Sequence, residues 1–225
     1  MEHPDVKASV PVCQAVLNQL LLLAPTRGRP GSDLRTAVGD FLADVETFLS
    51  ADTWGPPIDN IFELARITGM TVAQLEVVRQ TAAAIVPIST LIPGPILVQN
   101  SMIEFILATE CRIIADMTFV SREDVTTIQQ TMNAAFLPVQ ELAADDMDQA
   151  AFQALIALHA ALAFHLAETA RPLPRMLSYQ FYDPLPTLVL AYKLYADASR
   201  ADEVRAENKI VHPAFCPMAG HGLSS

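Results

Sequence analysis

Apolar residues recur at helical spacing along most of the chain, and this pattern predicts a mainly helical protein. In the first half, periodic apolar positions bounded by Pro, Gly and capping residues predict four helices, over 11–23, 34–49, 58–66 and 72–85. The stretch 27–31, rich in Gly and Arg, is predicted to be a loop, after which Ser32 and Asp33 cap the second helix. Thr71 and Gln74 have the spacing of a capping box for the fourth.

Three longer helices are predicted next, over 96–117, 121–142 and 147–169. Pro138 is expected to kink the second of these. Alanines fill the third between its large apolar residues, so we expect either the central helix of a bundle or a helix covered by another subunit. The apolar run 82–98 is the one membrane candidate in the pattern, but three prolines and Gly94 interrupt it. We therefore predict a buried, kinked connection and no membrane span.

The pattern changes at Arg171-Pro-Leu-Pro-Arg175, which predicts a boundary between a helical body, 1–171, and a small module, 172–225. Aromatic and β-favouring residues at 176–182 predict the one strand of the chain. Two short helices are expected to follow. Pro186 suits the first turn of one, with an apolar face that should pack on the strand, formed by Leu188, Val189, Tyr192 and Tyr195.

The second short helix has its own start and stop signals. Ser199, with Asp202 in the first turn, is predicted to cap its beginning. Asn208 is expected to end it in the left-handed conformation, and Pro213 and Pro217 prevent any continuation. The module is therefore predicted to be two helices meeting at a tight corner beside a strand.

This C-terminal sequence resembles the tail protein of Mu-like phages that is described as a DNA circularisation or circulation protein. The matching positions are Leu185-Pro186, 188–192, Leu194-Tyr195, Asp197-Ala198, 200–203, Asn208, Ile210, His212-Pro213 and Phe215. The segment is also similar to the LysM-like modules of phage baseplate proteins, in which two helices pack on a small sheet. Ala196 and Ala214 stand where the family has Gly, and Gly222-Leu-Ser-Ser225 replaces its final strand. The resemblance covers about the second half of the chain.

The resemblance implies a mainly α protein, with a multi-helix bundle body followed by a small α+β LysM-like module. It implies a non-enzymatic component of a contractile phage tail that joins the tail tube or hub to surrounding baseplate proteins, including the wedge, in multiple copies of a symmetric assembly. The protein would belong to the virion, assemble in the host cytoplasm, and need no cofactor, metal or small-molecule substrate. The interaction residues so indicated are Leu188, Tyr192, Tyr195, Asp197, Asn208, Ile210, His212, Pro213 and Phe215.

A glycan-binding module is the main alternative, because LysM-type folds can hold N-acetylglucosamine polymers of peptidoglycan. The aromatic residues that could serve such a groove are Tyr179, Phe181, Tyr182, Tyr192, Tyr195 and Phe215. Tyr192 and Tyr195 are expected to pack on the strand, and this expectation favours the structural interpretation.

Composition and the start of the sequence add three points. Of the 225 residues, 52% are hydrophobic and only 17% are charged, which suggests burial against partners. The three cysteines, Cys13, Cys111 and Cys216, lie far apart and form no metal-binding or redox motif, so we expect reduced structural thiols. No signal for secretion opens the sequence, which favours a cytoplasmic site of synthesis.

Candidate chemistry in the sequence is sparse. His159 and His165 with Glu168 lack the Glu-x-x-His spacing of carboxylate metal bundles. His212, Cys216 and His221 form a looser cluster without an evident fourth zinc ligand. The sequence contains no nucleophile elbow and no phosphate-binding Gly-rich loop. A metal-dependent hydrolase is accordingly a distant third interpretation, after the structural and glycan-binding ones.

The net charge of −11 is confined to the predicted body. Of the 14 Lys and Arg, 8 lie in residues 1–170 and 6 in 171–225, whereas 20 of the 25 Asp and Glu lie in 1–170 and 5 in 171–225. A DNA backbone requires clustered Lys and Arg that release its counterions. The charge pattern therefore argues against direct nucleic-acid binding.

We predict that the purified protein will not retard duplex DNA in a gel-shift assay at physiological salt, because the acidic body repels phosphate. Salt-sensitive binding in the micromolar range would contradict this expectation and support a direct role on DNA.

Overall fold

The computed structural model describes residues 3–25, 27–86 and 93–224, and within them the chain forms ten α-helices and a two-stranded sheet. The helices are α1 (His3–Leu23), α2 (Gly28–Ala43), α3 (Val45–Ser50), α4 (Gly55–Ile67), α5 (Val72–Ala83), α6 (Pro93–Ala115), α7 (Arg122–Asp145), α8 (Gln149–Ala170), α9 (Thr187–Tyr195) and α10 (Ala201–Glu207). Strands β1 (Met176–Gln180) and β2 (Ala219–Leu223) pair antiparallel, with Met176 opposite Leu223. The structure is 72% helical, so the predicted mainly α class is confirmed.

Contacts divide the chain into two compact units. The helical unit comprises Met1–Met117 and Asn133–Leu162, and the C-terminal unit comprises Thr118–Met132 and Ala163–Ser225. The C-terminal unit therefore contains the predicted module together with the beginning of α7 and the end of α8. The predicted boundary segment is held to the start of α7, since Arg122 donates from Nε to the carbonyl of Leu173 at 2.7 Å.

Helix α6 occupies the centre of the helical unit, where it packs against α1, α4 and α5. Twelve of its 23 residues are buried, and Met102, Ile106 and Leu107 are among the largest fully buried side chains of the chain. The first expectation for α8, that it is the central helix of a bundle, is wrong, because only 17% of its apolar stretch is buried. Alanines make α8 apolar without giving it the bulk that fills a core, whereas the long side chains of α6 supply that bulk.

Two glutamine side chains complete the ends of neighbouring helices. The capping box of Thr71 and Gln74 is confirmed, and Gln74 also donates to the carbonyl of Leu23 at the end of α1, at 2.9 Å. Gln99 of α6 donates to the carbonyl of Ala82 at 2.7 Å and to that of Ile85 at 3.0 Å. The last carbonyls of a helix have no partner within the helix, so these amides stabilise both helix ends and their positions.

Several predicted helix boundaries are wrong. Helix α1 begins at His3 and continues through Pro11, which lies on the exposed side where water can serve the carbonyl that loses its donor. Most of the predicted loop 27–31 belongs to α2, which begins at Gly28 with Arg27 as its N-cap, because Pro and Gly fit a first turn whose N–H groups need no intrahelical partner. The predicted helix 34–49 is broken at Asp44, and the spacing of its apolar residues could not show this because both pieces keep the same face inward.

Residues 87–92 of the predicted connection within 82–98 lie outside the described residues, whereas α5 ends at Ala83 and α6 begins at Pro93. Two other helices, over Pro4–Leu23 and Gln149–Ala170, are long and apolar enough to cross a membrane. The expectation that 82–98 is the one candidate was therefore wrong. The first of the two is 39% buried in the helical unit by its packing on α5 and α6, and α8 is the more exposed.

The three cysteines are buried and unpaired, in agreement with the expected reduced structural thiols. Burial raises the pKa of both Cys13 and Cys111 to about 12. Both thiols therefore stay protonated and unreactive at neutral pH.

A buried ion pair joins α5 and α6. Oε2 of Glu110, whose side chain is 1% exposed, lies 3.6 Å from Nε of Arg79. Burial raises the pKa of Glu110 from 4.5 to about 7, against the opposing effect of Arg79. The pKa of Glu110 is therefore higher in the folded state than in the unfolded state. Its contribution to the free energy of unfolding is complete below pH 4.5, and this contribution is lost as the pH rises through 7.

We predict that the free energy of unfolding will decrease by roughly 2 kcal/mol between pH 5 and pH 8, and that Glu110→Gln will remove most of this decrease. Trp54, the single tryptophan, is buried in the helical unit and reports its denaturant unfolding by fluorescence. The exposed substitution Glu141→Gln controls for the loss of one negative charge. A wild-type pH dependence in Glu110→Gln would show that other groups cause it.

Candidate functional site

The predicted module has a hydrophobic core of its own, formed by residues of β1, α9, α10 and the segment that follows α10. Its buried members are Tyr179, Leu190, Ala191, Val204, Ile210 and Cys216. Phe181, Leu185, Leu194, Tyr195 and Ala201 pack against them, partly buried. Cys216 is 3% exposed and belongs to this core, in agreement with the expected structural thiol.

Asn208 ties α10 to β2. Its Nδ2 donates to the carbonyl of Val204 at 2.9 Å and to that of His221 at 2.7 Å, while its Oδ1 accepts from the amide of His221 at 2.8 Å. The side-chain amide thus pairs with the strand backbone as a neighbouring peptide group would. This arrangement determines where the second strand lies relative to the end of the second helix.

The predicted conformation of Asn208 was wrong, because its φ is −96° and the left-handed residue is Lys209, with φ 51°. The predicted cap at Ser199 was also wrong, since Asp197 accepts from the amide of Ser199 at 2.8 Å and begins a 3-10 turn, 198–200, that leads into α10. Ala196 is left-handed, with φ 58°, at the position where the resembling family has Gly. Ala196 therefore adopts a backbone conformation that glycine adopts most readily.

The expected loss of the family's final strand is wrong, because β2 is present and includes Gly222. A Cβ on Gly220 would collide with Oδ1 of Asn208 and the hydroxyl of Tyr179, and one on Gly222 would lie 2.5 Å from the hydroxyl of Tyr195. Glycine at these two positions therefore lets side chains approach the strand closely. The composition of 222–225 looked unlike a strand because these contacts between distant residues are what favour glycine there.

Tyr195 is held between the strand and a cation. The guanidinium of Arg200 lies 3.7 Å from the centre of its ring and makes an ion pair with Glu203 at 2.6 Å. Burial raises the pKa of Tyr195, with a smaller contribution from Glu203. The predicted packing of Tyr195 on the sheet is in agreement with these contacts.

The predicted packing of Leu188, Val189 and Tyr192 on the strand is wrong. Leu188 is 60% exposed and Tyr192 is 63% exposed, whereas the buried face of α9 carries Thr187, Leu190 and Ala191. Helix α9 is apolar on both sides, so its periodicity could not show which side faces the core.

The exit segment 211–217 runs beside the beginning of α9. The carbonyl of Pro213 accepts from the amide of Thr187 at 2.8 Å, and the amide of Cys216 donates to Leu185 at 2.9 Å. Phe215 is 67% exposed and lies 5.5 Å from the ring of His212. This segment presents an aromatic side chain to solvent while its backbone is anchored.

The nine predicted interaction residues thus separate into two groups. Tyr195, Asp197, Asn208 and Ile210 make the contacts that fold the module, whereas Leu188, Tyr192, His212, Pro213 and Phe215 are exposed. We call Leu188, Tyr192 and Phe215 the docking surface. Val211 is 90% exposed and was not among the predicted interaction residues. Its position between the buried Ile210 and the Pro-rich exit segment was a signal that its side chain is exposed.

The described residues contain no group of three or more His, Cys, Asp or Glu side chains that could hold a metal ion. His159 stacks on Phe136 with ring centres 4.6 Å apart, and its Nε2 lies 2.8 Å from Oδ1 of Asn133. It is therefore a hydrogen-bonded packing residue of the helical unit.

No family model matches the chain, and no significant sequence match is found among curated proteins. The resemblance of the C-terminal sequence to a phage tail family therefore stays a prediction.

We predict that Asn208→Ala will destabilise the C-terminal unit by roughly 2–3 kcal/mol, because three hydrogen bonds to Val204 and His221 are lost. Hydrogen exchange of residues 201–223 should become faster, while exchange in the helical unit is unchanged. Asn18→Ala, at an exposed position of α1, is the matched control. Unchanged protection of β2 in Asn208→Ala would contradict the prediction.

Proposed function

We propose that this chain is a non-enzymatic structural protein of a contractile phage tail, in which a LysM-like C-terminal module docks the protein to its neighbours in the baseplate or tail tip. The observation that carries the proposal is the docking surface, whose three large side chains are all at least 60% exposed. The resemblance of the C-terminal sequence supports the phage-tail part of the proposal, and the exposure of these side chains supports the docking role.

The docking surface is not needed for the module to fold. The core cluster around Tyr179, Leu190 and Val204 closes without Leu188, Tyr192 or Phe215. Single exposed apolar residues are ordinary in soluble proteins, but several large ones on a unit this small are typical of a surface that a partner covers. Tyrosine and phenylalanine are also enriched where proteins meet. These features support a docking role over a purely internal one.

The arrangement of the module supports its LysM-like character. Helices α9 and α10 share one core with Tyr179 of β1, and α10 contacts β2. Two helices packed on a small sheet are what the resemblance implies for modules that join baseplate proteins. In this proposal the partners are other tail proteins, such as tube, hub or wedge, bound in several copies of a symmetric assembly within the virion.

Peptidoglycan binding is the second candidate, and one observation favours it. Tyr192 is exposed, as is Tyr182, which is fully exposed after β1. An aromatic ring with a free face can pack on the apolar face of a sugar. Tyr192 was expected to pack on the strand, which would have disfavoured glycan binding, but its side chain is exposed. A direct experiment is therefore needed to separate the two functions.

We predict that the double substitution Leu188→Ser and Tyr192→Ser will abolish tail assembly while leaving the protein folded, because both side chains lie outside the module core. The measurement is complementation of a phage that lacks this gene, with particles counted by electron microscopy. Leu22→Ser, at a position of α1 that is 76% exposed, is the matched control. Circular dichroism of each purified variant verifies the fold.

Tailless particles or incomplete baseplates from the double variant, with normal particles from the control, would support docking. Normal infectious particles from the double variant would place the working surface elsewhere. The same preparations are mixed with insoluble peptidoglycan and sedimented. Retention of the wild type that is lost in Tyr192→Ser would favour the glycan-binding candidate over ours.

A further inference from the structure

A second exposed apolar surface lies in the helical unit, far in sequence from the docking surface. Two adjoining cavities, of about 470 Å³ and 220 Å³, share Glu104 and Ala151 as lining residues. Together they form a groove with α6 on one side and α8 on the other, closed at one end by residues of α7. We call it the α6–α8 groove.

Most of the lining of the α6–α8 groove is apolar, and Asn100 and Ser101 are among its uncharged polar residues. The apolar side chains include Leu97, Phe105, Val139, Leu142, Leu155 and Leu158. Leu97 is 50% exposed and Leu142 is 37% exposed, which is costly for leucine in water. Between them Ala108, Ala151 and Ala154 leave space because their side chains are short.

The rim of the groove is acidic. Asp5, Glu104, Asp146 and Asp148 line it, and no Lys or Arg is among the lining residues. Among the described residues, uncharged groups donate hydrogen bonds to three of these carboxylates: Gly94 to Asp5, Asn100 to Asp146 and Ala151 to Asp148. Within the described part of the chain, none of the four forms an ion pair.

The surroundings of Glu104 disfavour its negative charge. Burial raises its pKa, and the negative charge of Asp148 raises it further. A cation placed between these two carboxylates would lower the free energy of both, because opposite charges at short distance attract most strongly where water is partly excluded.

The size of the groove indicates what it can hold. Leu97 and Ala108 are eleven residues apart on α6, which corresponds to roughly 16 Å, or three turns of helix. An amphipathic helix lays its apolar face into such a groove and directs its polar face to the rim. A second copy of the helical body does not complement the rim, since residues 1–170 carry 20 acidic and 8 basic side chains.

From this geometry we infer that the α6–α8 groove binds a basic amphipathic helix of a partner protein, with apolar residues on the leucine-lined floor and Lys or Arg against Asp5, Glu104, Asp146 and Asp148. The inference stands independently of the phage-tail proposal, because it uses only the helical unit. It gives the protein a second interaction surface, with a chemistry different from that of the docking surface.

The test uses the full chain and a fluorescent designed peptide of about 18 residues, with Leu at helical spacing on one face and Lys elsewhere. Binding is followed by fluorescence anisotropy. We expect the lysine peptide to bind at least about tenfold more tightly than the same peptide with Glu in place of Lys, and its affinity to fall as salt is added. Equal affinities for the two peptides, or no binding of the lysine peptide, would overturn the inference.

Two variants with the same net charge separate the groove from general attraction by an acidic protein. Ala154→Trp fills the groove, whereas Ala157→Trp places the same side chain on an exposed position of α8 outside it. We expect Ala154→Trp to weaken binding at least about tenfold and Ala157→Trp to leave it unchanged. Equal effects of the two substitutions would contradict binding in the groove.

A second pair of variants tests the rim. Glu104→Gln with Asp148→Asn should weaken binding of the lysine peptide and reduce its salt dependence. Asp40→Asn with Glu46→Gln removes two exposed acids that do not line the groove and should have little effect. If both pairs weaken binding equally, the peptide responds to net charge alone and the inferred site is wrong.

Discussion

The burial of α6 is the constraint on which the helical unit depends. Because α6 packs on α1, α4 and α5 at once, a change in its position would disturb three interfaces together. Its polar residues take part as well, since Gln99 completes the end of α5 and Glu110 pairs with Arg79 inside the unit. The side of α6 that remains, with Leu97 and Phe105, forms one wall of the acidic groove. Core and candidate binding surface are thus opposite sides of one rigid element.

The C-terminal unit is stabilised by side chains that lie close to the strand backbone rather than by many bulky core residues. Its two-stranded sheet is too small to be stable alone, so the helices must cover it. Asn208 and Tyr195 reach the strand backbone because Gly220 and Gly222 leave room for them. With the core closed in this way, the large residues on the outer side of α9 are left exposed. Both sides of α9 are apolar but the core covers only one of them, so the other side remains exposed.

The two candidate surfaces agree with the unusual composition of the chain. A protein with 52% hydrophobic and 17% charged residues has few polar side chains with which to cover its exterior. The docking surface and the α6–α8 groove are both exposed apolar regions, but only the groove has an acidic rim. Partners of different charge would therefore be distinguished by electrostatics, while apolar contact supplies most of the affinity for each.

The sequence by itself determined the helical class, the capping box of Thr71 and Gln74 and the strand beginning at Met176, since these depend on local spacing and on neighbours a few residues apart. Tertiary contacts decided that the C-terminal unit also includes Thr118–Met132. Only the tertiary structure decided that α6 rather than α8 is central, that α9 exposes Tyr192, and that 219–223 is a strand. The physical reason is the same in each case. An apolar pattern specifies which side chains avoid water, but which of two apolar faces is covered, and whether a glycine lies in a strand, depend on contacts with residues far away in the chain.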